Sequence, residues 1–425
     1  MMFLVLLTFC ITAAIGIPLA FCMGMSSIIA ILAREMLSFN LIANRIIYGT
    51  DSFVLLAVPL FILAGDLMEF GGIARRLVAL ARAFVGHFRG GLGITVVGSE
   101  MLFSGISGST TADVSAMTSM LLPSMKRAGY TAEYAIAIVS AASALGILVP
   151  PCIVMVVFGA MANVSVAALF MAGFLPAFVL AGILIALLYY QARKMGFPRD
   201  PKIDLLTKFK RLREAAVPLA MPIIIFGGIL GGIFTPTEAA AVAVVYAFFV
   251  GVFVYKEIPL KDVPRILVKT CTTTGMILFL IGVSSIFSYL LAVERVPHAV
   301  GTFVLSISSS KCTMLLASCL LVFLLSIVIE VLPAGLIVIP IFLPFVDMLD
   351  ISRLHFIILV IISGGLGMFT PPTGVGLIIA CSIGNVSMEQ ATKPLLPLLL
   401  ALFIGVFILI LAPDISTFVP NLLGL

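Results

Sequence analysis

Two pairs of consecutive prolines, Pro150-Pro151 and Pro371-Pro372, interrupt long apolar segments of the chain. A proline inside a helix removes a backbone N–H donor and clashes with the preceding turn, so the carbonyl groups before it lose their helical partners. Carbonyl oxygens freed inside a bilayer need another partner, and a bare cation is a suitable one. Both double prolines therefore predict a broken helix whose backbone oxygens bind a cation.

A run of small and hydroxylic residues precedes each double proline, at 103–113 and at 325–335. We interpret these runs as the tips of re-entrant helical hairpins over 90–125 and 312–348. A half-helix N-terminus that points into the membrane presents unsatisfied N–H groups and a partial positive charge, which suits a substrate carboxylate. Pro333 suits a first helical position. The candidate N-cap residues are Ser109, Thr110, Thr111 and Asp113.

Four acidic residues lie within or at the end of apolar segments. Glu100 and Glu330 fall inside the predicted hairpins, where burying a carboxylate is costly and a functional role is the first hypothesis. A structural hydrogen bond to neighbouring backbone is the alternative for both. Asp66 and Glu69 end a predicted span, so a functional role and a simple position at the helix end both stay open.

The composition places these features in a membrane. Of 425 residues, 62% are hydrophobic and 10% are charged, whereas soluble domains carry about 25% charged residues. A soluble protein of this size could not bury so much apolar surface in its core. The composition therefore excludes a soluble enzyme, a DNA-binding module and a disulfide-stapled secreted domain. The seven cysteines and three histidines are scattered and show no metal-ligand spacing. The net charge of +5 is confined to a few loops and indicates no nucleic-acid partner.

Three basic segments, 73–89, 193–213 and 256–269, define the orientation, because cytoplasmic loops of membrane proteins are enriched in Lys and Arg. This rule places all three in the cytoplasm and 293–311 outside. The basic stretch 73–84 is amphipathic, which fits either an interfacial helix or an ordinary loop helix. The apolar segment 1–33 forms either one span or two, with Gly16 and Pro18 as the dividing point. The other predicted spans are 52–72, 131–163, 166–190, 215–233, 236–255, 270–292, 353–386 and 389–412.

The segment from Leu122 to Ser165 recurs from Leu343 to Ser387, with a numbering offset of 221 that slips to 222 near its end. One small-residue run alone would more often be a packing face between helices. Two such runs, each followed at the same distance by a double proline, favour binding sites. One copy is approached from the cytoplasm and the other from outside, so the repeats are inverted, which is typical of secondary transporters with a site near the membrane midplane.

We therefore predict an all-α polytopic membrane protein of inverted structural repeats, each with a re-entrant hairpin and a Pro-Pro-broken helix, in one integral membrane domain, 1–425. Its predicted parts are a first-repeat scaffold and arm helix (1–89), a first hairpin and broken helix (90–165), scaffold and connecting helices (166–311), a second hairpin and broken helix (312–387) and a C-terminal helix (388–425).

The chain resembles the large membrane subunit of the tripartite ATP-independent periplasmic (TRAP) transporters, the DctM type, along nearly its whole length. The order and spacing of the motifs are specific, although each motif alone is weak. The motifs are Asp51-Ser52-Phe53, Val58-Pro59-Leu60-Phe61-Ile62-Leu63-Ala64-Gly65, Gly71-Gly72-Ile73, Ser107-Gly108-Ser109, Val149-Pro150-Pro151, Phe234-Thr235-Pro236-Thr237-Glu238-Ala239 and Thr370-Pro371-Pro372.

The resemblance implies an elevator-type carrier in the bacterial inner membrane, driven by a sodium gradient, with Na⁺ as the coupling ion and no organic cofactor. It also implies two partners, a small four-helix membrane subunit and a periplasmic substrate-binding protein. One sodium ion is expected between the first hairpin tip and the first break, at Ser104, Ser107, Gly146, Val149 and Pro151. The second is expected in the symmetry-related place, at Ser326, Gly367, Thr370 and Thr373. The expected substrate contacts are Ser109, Thr110 and Thr373.

Three positions depart from the usual family pattern. Ser326 replaces a common glycine and bears on the geometry of the second sodium site. Cys152 stands where serine is usual and Ser363 where asparagine is common, and both bear on substrate preference or packing.

We expect the large permease subunit of a sodium-coupled tripartite transporter that imports an organic acid, namely a C4-dicarboxylate, keto acid, sialic acid or sugar acid. The alternative is a self-sufficient sodium/anion symporter that needs no binding protein. A membrane-embedded enzyme is disfavoured because the sequence has no HExxH or GxSxG motif, and the missing P-loop excludes an ATP-driven pump.

Overall fold

The structure is a computed structural model that describes residues 2–33, 40–197, 204–307 and 310–425. Within these ranges the chain forms helices and no strand, and eight helical segments are long and apolar enough to cross a membrane. The helices of the first half are α1 (Met2–Ala14), α2 (Leu19–Leu32), α3 (Asn40–Thr50), α4 (Ala57–Phe70), α5 (Ile73–Val85), α6 (Gly91–Ser107), α7 (Thr110–Arg127), α8 (Ala132–Gly146), α9 (Ile153–Ala162) and α10 (Val166–Met195). Those of the second half are α11 (Leu205–Leu230), α12 (Pro236–Phe249), α13 (Val263–Val293), α14 (Val296–Ile307), α15 (Lys311–Val328), α16 (Val331–Met348), α17 (Arg353–Met368), α18 (Val375–Gly384), α19 (Met388–Leu411) and α20 (Asp414–Leu423).

The internal repeat is visible in the helix boundaries. The end of α6, the start of α7 and the start of α8 correspond to the end of α15, the start of α16 and the start of α17, each with the same numbering offset of 221. α9, α10, α18 and α19 continue the correspondence with an offset of 222. The details recur as well: Asn163 and Asn385 end α9 and α18 in the left-handed conformation, and Ser165 and Ser387 cap the helices that follow. The predicted repeat is therefore a structural one.

Both predicted hairpins are present as pairs of helices joined by a short turn. Gly108 has a φ of +65° between α6 and α7, whereas Ile329 is extended between α15 and α16. Two local predictions were wrong. Asp113 lies beyond the N-cap Ser109, inside the first turns of α7, and bonds to other partners, and Pro333 is the third helical residue of α16 rather than the first. The third position still carries an N–H without a helical partner, so proline costs little there.

The broken helices form the centre of the protein. Every residue from Tyr134 to Gly146 in α8 and from His355 to Met368 in α17 is buried. The two helices are in close backbone contact at Gly365, which has no side chain. A Cβ atom added there would lie only 2.6 Å from the carbonyl oxygen of Ala144. The hairpins pack on this centre with equally little space, since a Cβ on Gly335 in α16 would lie 2.0 Å from the ring of Phe158.

Several predicted boundaries change. The apolar segment 1–33 contains two helices, α1 and α2, separated at Gly16 and Pro18. The basic segment 256–269 is not all loop, because α13 begins at Val263, and the segment 293–311 contains the unpredicted α14. Within the basic segment 193–213, residues 198–203 lie outside the described part of the chain.

The C-terminal segment 388–425 is two helices rather than the one predicted. Ala412 leaves the helical conformation between α19 and α20 (φ −124°, ψ 73°), because the residue before a proline, here Pro413, is disfavoured in a helix.

The amphipathic stretch is the helix α5, whose apolar face is buried and whose arginines reach the loop before α13. Arg75 and Arg76 pair with Glu257 at 2.7 and 2.8 Å. The Arg76 guanidinium also lies 3.6 Å from the centre of the Tyr255 ring. α5 is thus fixed to the scaffold by ion pairs and a cation–π contact.

Candidate functional site

A cavity of about 630 Å³ lies where the two hairpin tips meet the scaffold. Residues 107–112 of the first tip and residues 330–332 of the second line one side of it. Residues of α4 and of the first half of α13 line the rest of its scaffold side. α4 touches the first tip directly, since a Cβ on Gly65 would lie 2.5 Å from the carbonyl oxygen of Ser107. We call this space the inner cavity.

The first hairpin tip presents hydroxyl groups at the N-terminus of α7. Ser109 is the N-cap residue, and its side chain makes no capping hydrogen bond but lies 3.2 Å from the Thr111 hydroxyl. The Ser109 backbone N–H donates to the Ser107 hydroxyl at 3.1 Å. Ser109 and Thr110, the predicted substrate contacts of this tip, both line the inner cavity. The arrangement leaves N–H groups of the first turn of α7 facing the space where an anion can bind.

The third predicted substrate contact, Thr373, lies elsewhere. Its hydroxyl donates to the carbonyl oxygen of Ile327 at 2.9 Å, and the residue is not part of the inner cavity lining. The second tip contributes Glu330 instead, which is the N-cap residue of α16 without a side-chain capping bond. Within the described part of the chain, the Glu330 carboxylate has no ion pair with a basic residue.

The scaffold wall of the inner cavity holds a cluster of charges that joins α4 to α13. Lys269 Nζ lies 2.7 Å from Asp66 Oδ1 and 3.3 Å from Glu69 Oε2. The hydroxyl of Thr270 donates to the other Asp66 oxygen at 2.8 Å. Asp66 and Glu69 are therefore more than helix-end charges, because they hold the lysine that lines the cavity.

The residues predicted to bind the first sodium ion are brought together by the structure. A Cβ on Gly146 would lie 2.9 Å from the Ser104 hydroxyl. Next to it, a Cβ on Gly105 would lie 3.0 Å from a Val149 methyl group, and one on Gly108 would lie 3.7 Å from the Pro151 carbonyl oxygen. The hairpin tip and the first break thus touch along their backbones.

The sequence predicts that the carbonyl groups before each double proline lose their hydrogen-bond partners, but some of these carbonyl groups are paired in the structure. The Gly146 carbonyl accepts a hydrogen bond from the Val149 N–H at 2.8 Å, and the Gly367 carbonyl accepts one from the Thr370 N–H at 3.0 Å. Each helix therefore tightens at its last turn before the prolines. A carbonyl oxygen has two lone pairs, so one remains for a cation.

The position of the Asp113 carboxylate was not predicted from the sequence. This carboxylate is fully buried and accepts hydrogen bonds from Ser104, at 2.6 Å, and from Ser107. On α6, one turn before Ser104, buried Glu100 accepts from Ser143 of α8, and the other Glu100 oxygen, Oε2, has no hydrogen-bond partner in the described part of the chain. Oε2 would lie 3.6 Å from a Cβ on Gly146. The first break is therefore flanked by two carboxylates.

The residues predicted for the second sodium ion also meet. A Cβ on Gly367 would lie 2.6 Å from both the Phe323 carbonyl oxygen and the Ser326 Cβ. The side chain of Ser326 thus fits because position 367 is a glycine. Its buried hydroxyl has no hydrogen-bond partner in the described part of the chain, and neither does that of Ser363. The Thr370 hydroxyl donates to the Leu366 carbonyl at 2.7 Å.

The two breaks differ in charge although their backbones correspond. With the offset of 221, Asp113 corresponds to Ala334, Glu100 to Leu321 and Ser143 to Gly364. The repeat therefore places two buried carboxylates at the first break and apolar side chains at the equivalent positions of the second. The described residues contain no group of three His, Cys, Asp or Glu side chains suited to a transition metal. Oxygen donors of this kind fit a hard cation.

Comparisons with known proteins agree with this architecture. The family model for the DctM component of tripartite ATP-independent periplasmic transporters matches residues 6–415. The C4-dicarboxylate TRAP transporter large permease protein DctM of Rhodobacter capsulatus is 35% identical over 96% of both chains. The sialic acid TRAP transporter large permease protein SiaM of Vibrio cholerae is 34% identical over 96% of this chain and 95% of that one.

Among solved structures, the Alcanivorax borkumensis YdaH transporter is similar in fold, with a TM-score of 0.66 and 16% identity over 88% of this chain and 87% of that one. The two proteins thus share an all-helical fold. Proteins of this type lie in the inner membrane, and eight helical segments in the described part of the chain are long and apolar enough for such a location. The match over nearly the whole length shows that the chain belongs to the DctM family, the large permease component of binding-protein-dependent TRAP transporters.

Proposed function

We propose that this permease imports an organic acid together with sodium ions, after a periplasmic binding protein has delivered the acid and with a small four-helix membrane subunit as its partner. The observation that carries the proposal is the meeting of both hairpin tips with both broken helices beside one cavity. The relatives named above are described as carriers of C4-dicarboxylates and sialic acid, and a further one, DctMQ of Oleidesulfovibrio alaskensis, as a carrier of isethionate. All of these cargoes are organic anions.

The substrate site is the inner cavity. The carboxylate of the cargo binds at the N-terminus of α7, where the hydroxyls of Ser109 and Thr110 and the N–H groups of the first turn are available. A helix N-terminus favours an anion by roughly 0.3–1 kcal/mol when exposed and by more when partly buried. Glu330 on the second tip accepts a hydrogen bond from a hydroxyl or amino group of the cargo, because a carboxylate beside it would be repelled. Thr373 contacts cargo only after the second tip has moved.

The first sodium ion binds between the first tip and the first break. Its ligands are the oxygens of Ser104, Ser107, Gly146, Val149 and Pro151. Support comes from the buried Asp113, whose carboxylate holds both serine hydroxyls and supplies negative charge beside the ion. A buried carboxylate without a basic partner is costly by itself, and a bound cation offsets that cost.

The second sodium ion binds at the corresponding place, with oxygens of Ser326, Gly367, Thr370 and Thr373. The buried Ser326 hydroxyl, which has no hydrogen-bond partner in the described part of the chain, supports this assignment, because such a group costs about 1–3 kcal/mol unless a ligand satisfies it. Since the equivalents of Asp113 and Glu100 are apolar here, this site is the weaker of the two in the absence of cargo.

Both sodium sites share their hairpins with the substrate site, so an ion that fixes a hairpin tip also completes the cavity for the cargo. The hairpins and broken helices then move together against α4 and α13 between two states, and this movement carries ions and cargo inward. Coupling of sodium to cargo transport requires only that the protein with bound ions and cargo and the empty protein differ in their preference for the two states.

The test is uptake by the reconstituted complex. The permease and its small subunit are placed in liposomes, and uptake of labelled organic acids is followed with and without an inward sodium gradient and the binding protein. Uptake that requires both supports the proposal. Uptake driven by sodium without a binding protein would indicate a self-sufficient symporter, and uptake independent of sodium would refute the role given to the two breaks.

A further inference from the structure

A second cavity, of about 590 Å³, lies between the scaffold and the moving helices at the other end of α13. α13 begins within the basic segment 256–269, which the positive-inside rule places in the cytoplasm. Five residues near the C-terminal end of α13 line the second cavity, which therefore lies in the periplasmic half; they are Ile281, Ser284, Ser285, Ser288 and Tyr289. We call it the outer cavity.

α13 lines both cavities. Lys269, Thr273 and Ile277 line the inner cavity, and Ile281 and Ser285, further along the helix, line the outer one. With a rise of about 1.5 Å per residue, Thr273 and Ser285 are about 18 Å apart along the helix axis. The two cavities are thus at two levels along a single helix.

The walls of the outer cavity differ in polarity. The scaffold side, from α3, its following loop and α13, contributes Arg45, Tyr48, Asp51 and several serines. The side formed by α9 and α16 is mostly apolar, with residues such as Val157 and Leu336. A polar wall that faces an apolar one is suited to water or to a polar ligand, because the facing side chains cannot satisfy its hydrogen-bonding groups.

Arg45 is the cation of this wall. Its guanidinium lies 4.1 Å from the centre of the Tyr289 ring, and it has no ion pair in the described part of the chain, although Asp51 also lines the cavity. The stacking leaves the N–H groups at the edge of the guanidinium plane available, which matches the two oxygens of a carboxylate. Ser285 and Ser288 of α13 add hydroxyl donors to the same wall.

The support for Arg45 is rigid. A Cβ on Gly49 of α3 would lie 2.5 Å from the Ser285 Cβ, and one on Gly282 would lie 2.9 Å from a methyl group of Ile46. α3 and α13 therefore pack closely beside the cavity. Arg45 is held in place without the moving helices.

The inner cavity differs, because the lysine that lines it is already paired with Asp66 and Glu69. We propose that the outer cavity is a reception site for the cargo, in which Arg45, stacked on Tyr289, binds the carboxylate of an organic acid on the periplasmic side before the hairpin tips receive it. The inference rests on the proposed import of an organic acid. It adds an earlier step, since the cargo anion meets the Arg45 guanidinium before it reaches the anion site at the N-terminus of α7.

The first test measures the charge of the outer cavity without transport. In the complex with its small subunit, Cys10 and Cys271, both exposed, are replaced by serine, and a cysteine is introduced by Ser288→Cys. Thiol labelling from the periplasmic side is then compared between an anionic sulfonatoethyl and a cationic trimethylammonioethyl methanethiosulfonate. Tyr48→Cys is a second reporter, because this exposed residue lines the same cavity.

We expect Arg45→Gln to lower the ratio of anionic to cationic labelling rates by about fivefold or more. The matched control is Arg295→Asn, which removes one positive charge at the same end of α13 but outside the cavity lining, where asparagine accepts the left-handed backbone (φ +55°). This control should leave the ratio unchanged. A ratio that Arg45→Gln does not change at either reporter, or cysteines that react only from the cytoplasmic side, would overturn the proposal.

The second test is uptake of the organic acid that the complex transports. Arg45→Gln is expected to raise KM about tenfold while Vmax is retained, and Arg45→Lys to give an intermediate KM, because lysine keeps the charge but loses the two-donor geometry. An unchanged KM in Arg45→Gln would overturn the reception role. If the wild-type complex transports no organic acid, the proposed function fails, and the labelling ratio still decides whether the outer cavity attracts anions.

Discussion

Asp113→Asn is the substitution that tests the first sodium site most directly. The carboxylate accepts hydrogen bonds from Ser104, at 2.6 Å, and from Ser107, and it is fully buried. Asparagine has nearly the same shape and retains one carbonyl oxygen as acceptor, but it carries no charge. The change therefore removes the electrostatic contribution to cation binding while most of the packing is kept.

The expected magnitude follows from the geometry. A cation bound by the Ser104 hydroxyl at about 2.4 Å, as is typical of hard cations with oxygen ligands, lies no more than about 5 Å from the carboxylate oxygen that is 2.6 Å from the same hydroxyl. At an effective dielectric constant of about 20, two unit charges at this distance attract by about 3 kcal/mol. The dissociation constant for sodium should therefore rise roughly a hundredfold.

The assay is the rise in melting temperature of the purified protein as sodium replaces an inert cation, because a ligand that binds only the folded state stabilises it by mass action. This readout does not depend on transport. Glu389→Gln is the control, since it removes an exposed carboxylate in the first turn of α19, outside both predicted sodium sites. If Asp113→Asn and wild type reach half of their rise in melting temperature at the same sodium concentration, the assignment of Asp113 to a cation site is wrong.

Three further outcomes are expected. Gly367→Ala places a methyl group 2.6 Å from the Phe323 carbonyl oxygen, so we expect a loss of about 1–3 kcal/mol in stability, measured by thermal unfolding, together with the loss of sodium-driven uptake. Lys269→Gln leaves Asp66 with only Thr270 as partner among the described residues; the melting temperature should fall, and a double substitution with Asp66→Asn should recover part of the loss. Glu330→Gln removes a carboxylate without an ion pair in the described part of the chain, so stability should change by less than about 0.5 kcal/mol while the KM for cargo changes, and a large fall in melting temperature would contradict this.

The features that follow local rules could be predicted from the sequence. The double prolines predict the two breaks because proline has the same effect in every helix, and the constant numbering offset between the two copies predicts the matching hairpins. The division of the segment 1–33 could not be decided, because Gly16 and Pro18 are also tolerated within membrane helices. The extension of α13 back to Val263 was missed because a charged first turn resembles a loop when its packing is unknown.

The features that depend on distant parts of the chain could not be predicted in this way. Asp113 was interpreted as a helix cap because Asp is common there, whereas the folded hairpin brings its carboxylate to Ser104 and Ser107. The pairing of Glu69 with Lys269 joins α4 to the distant α13, and no local pattern indicates it. The absence of Thr373 from the inner cavity has the same origin, since its position depends on how the second tip packs.

The close crossing of α8 and α17 has a consequence for local unfolding. At Gly365 and Ala144 the two backbones meet without a layer of side chains between them, so neither helix can open while the other stays folded. Hydrogen exchange should therefore protect the amides of both helices to the same degree, as one cooperative unit. The oxygens at the ends of these helices are then already ordered when an ion arrives, and little conformational entropy remains to be lost on binding.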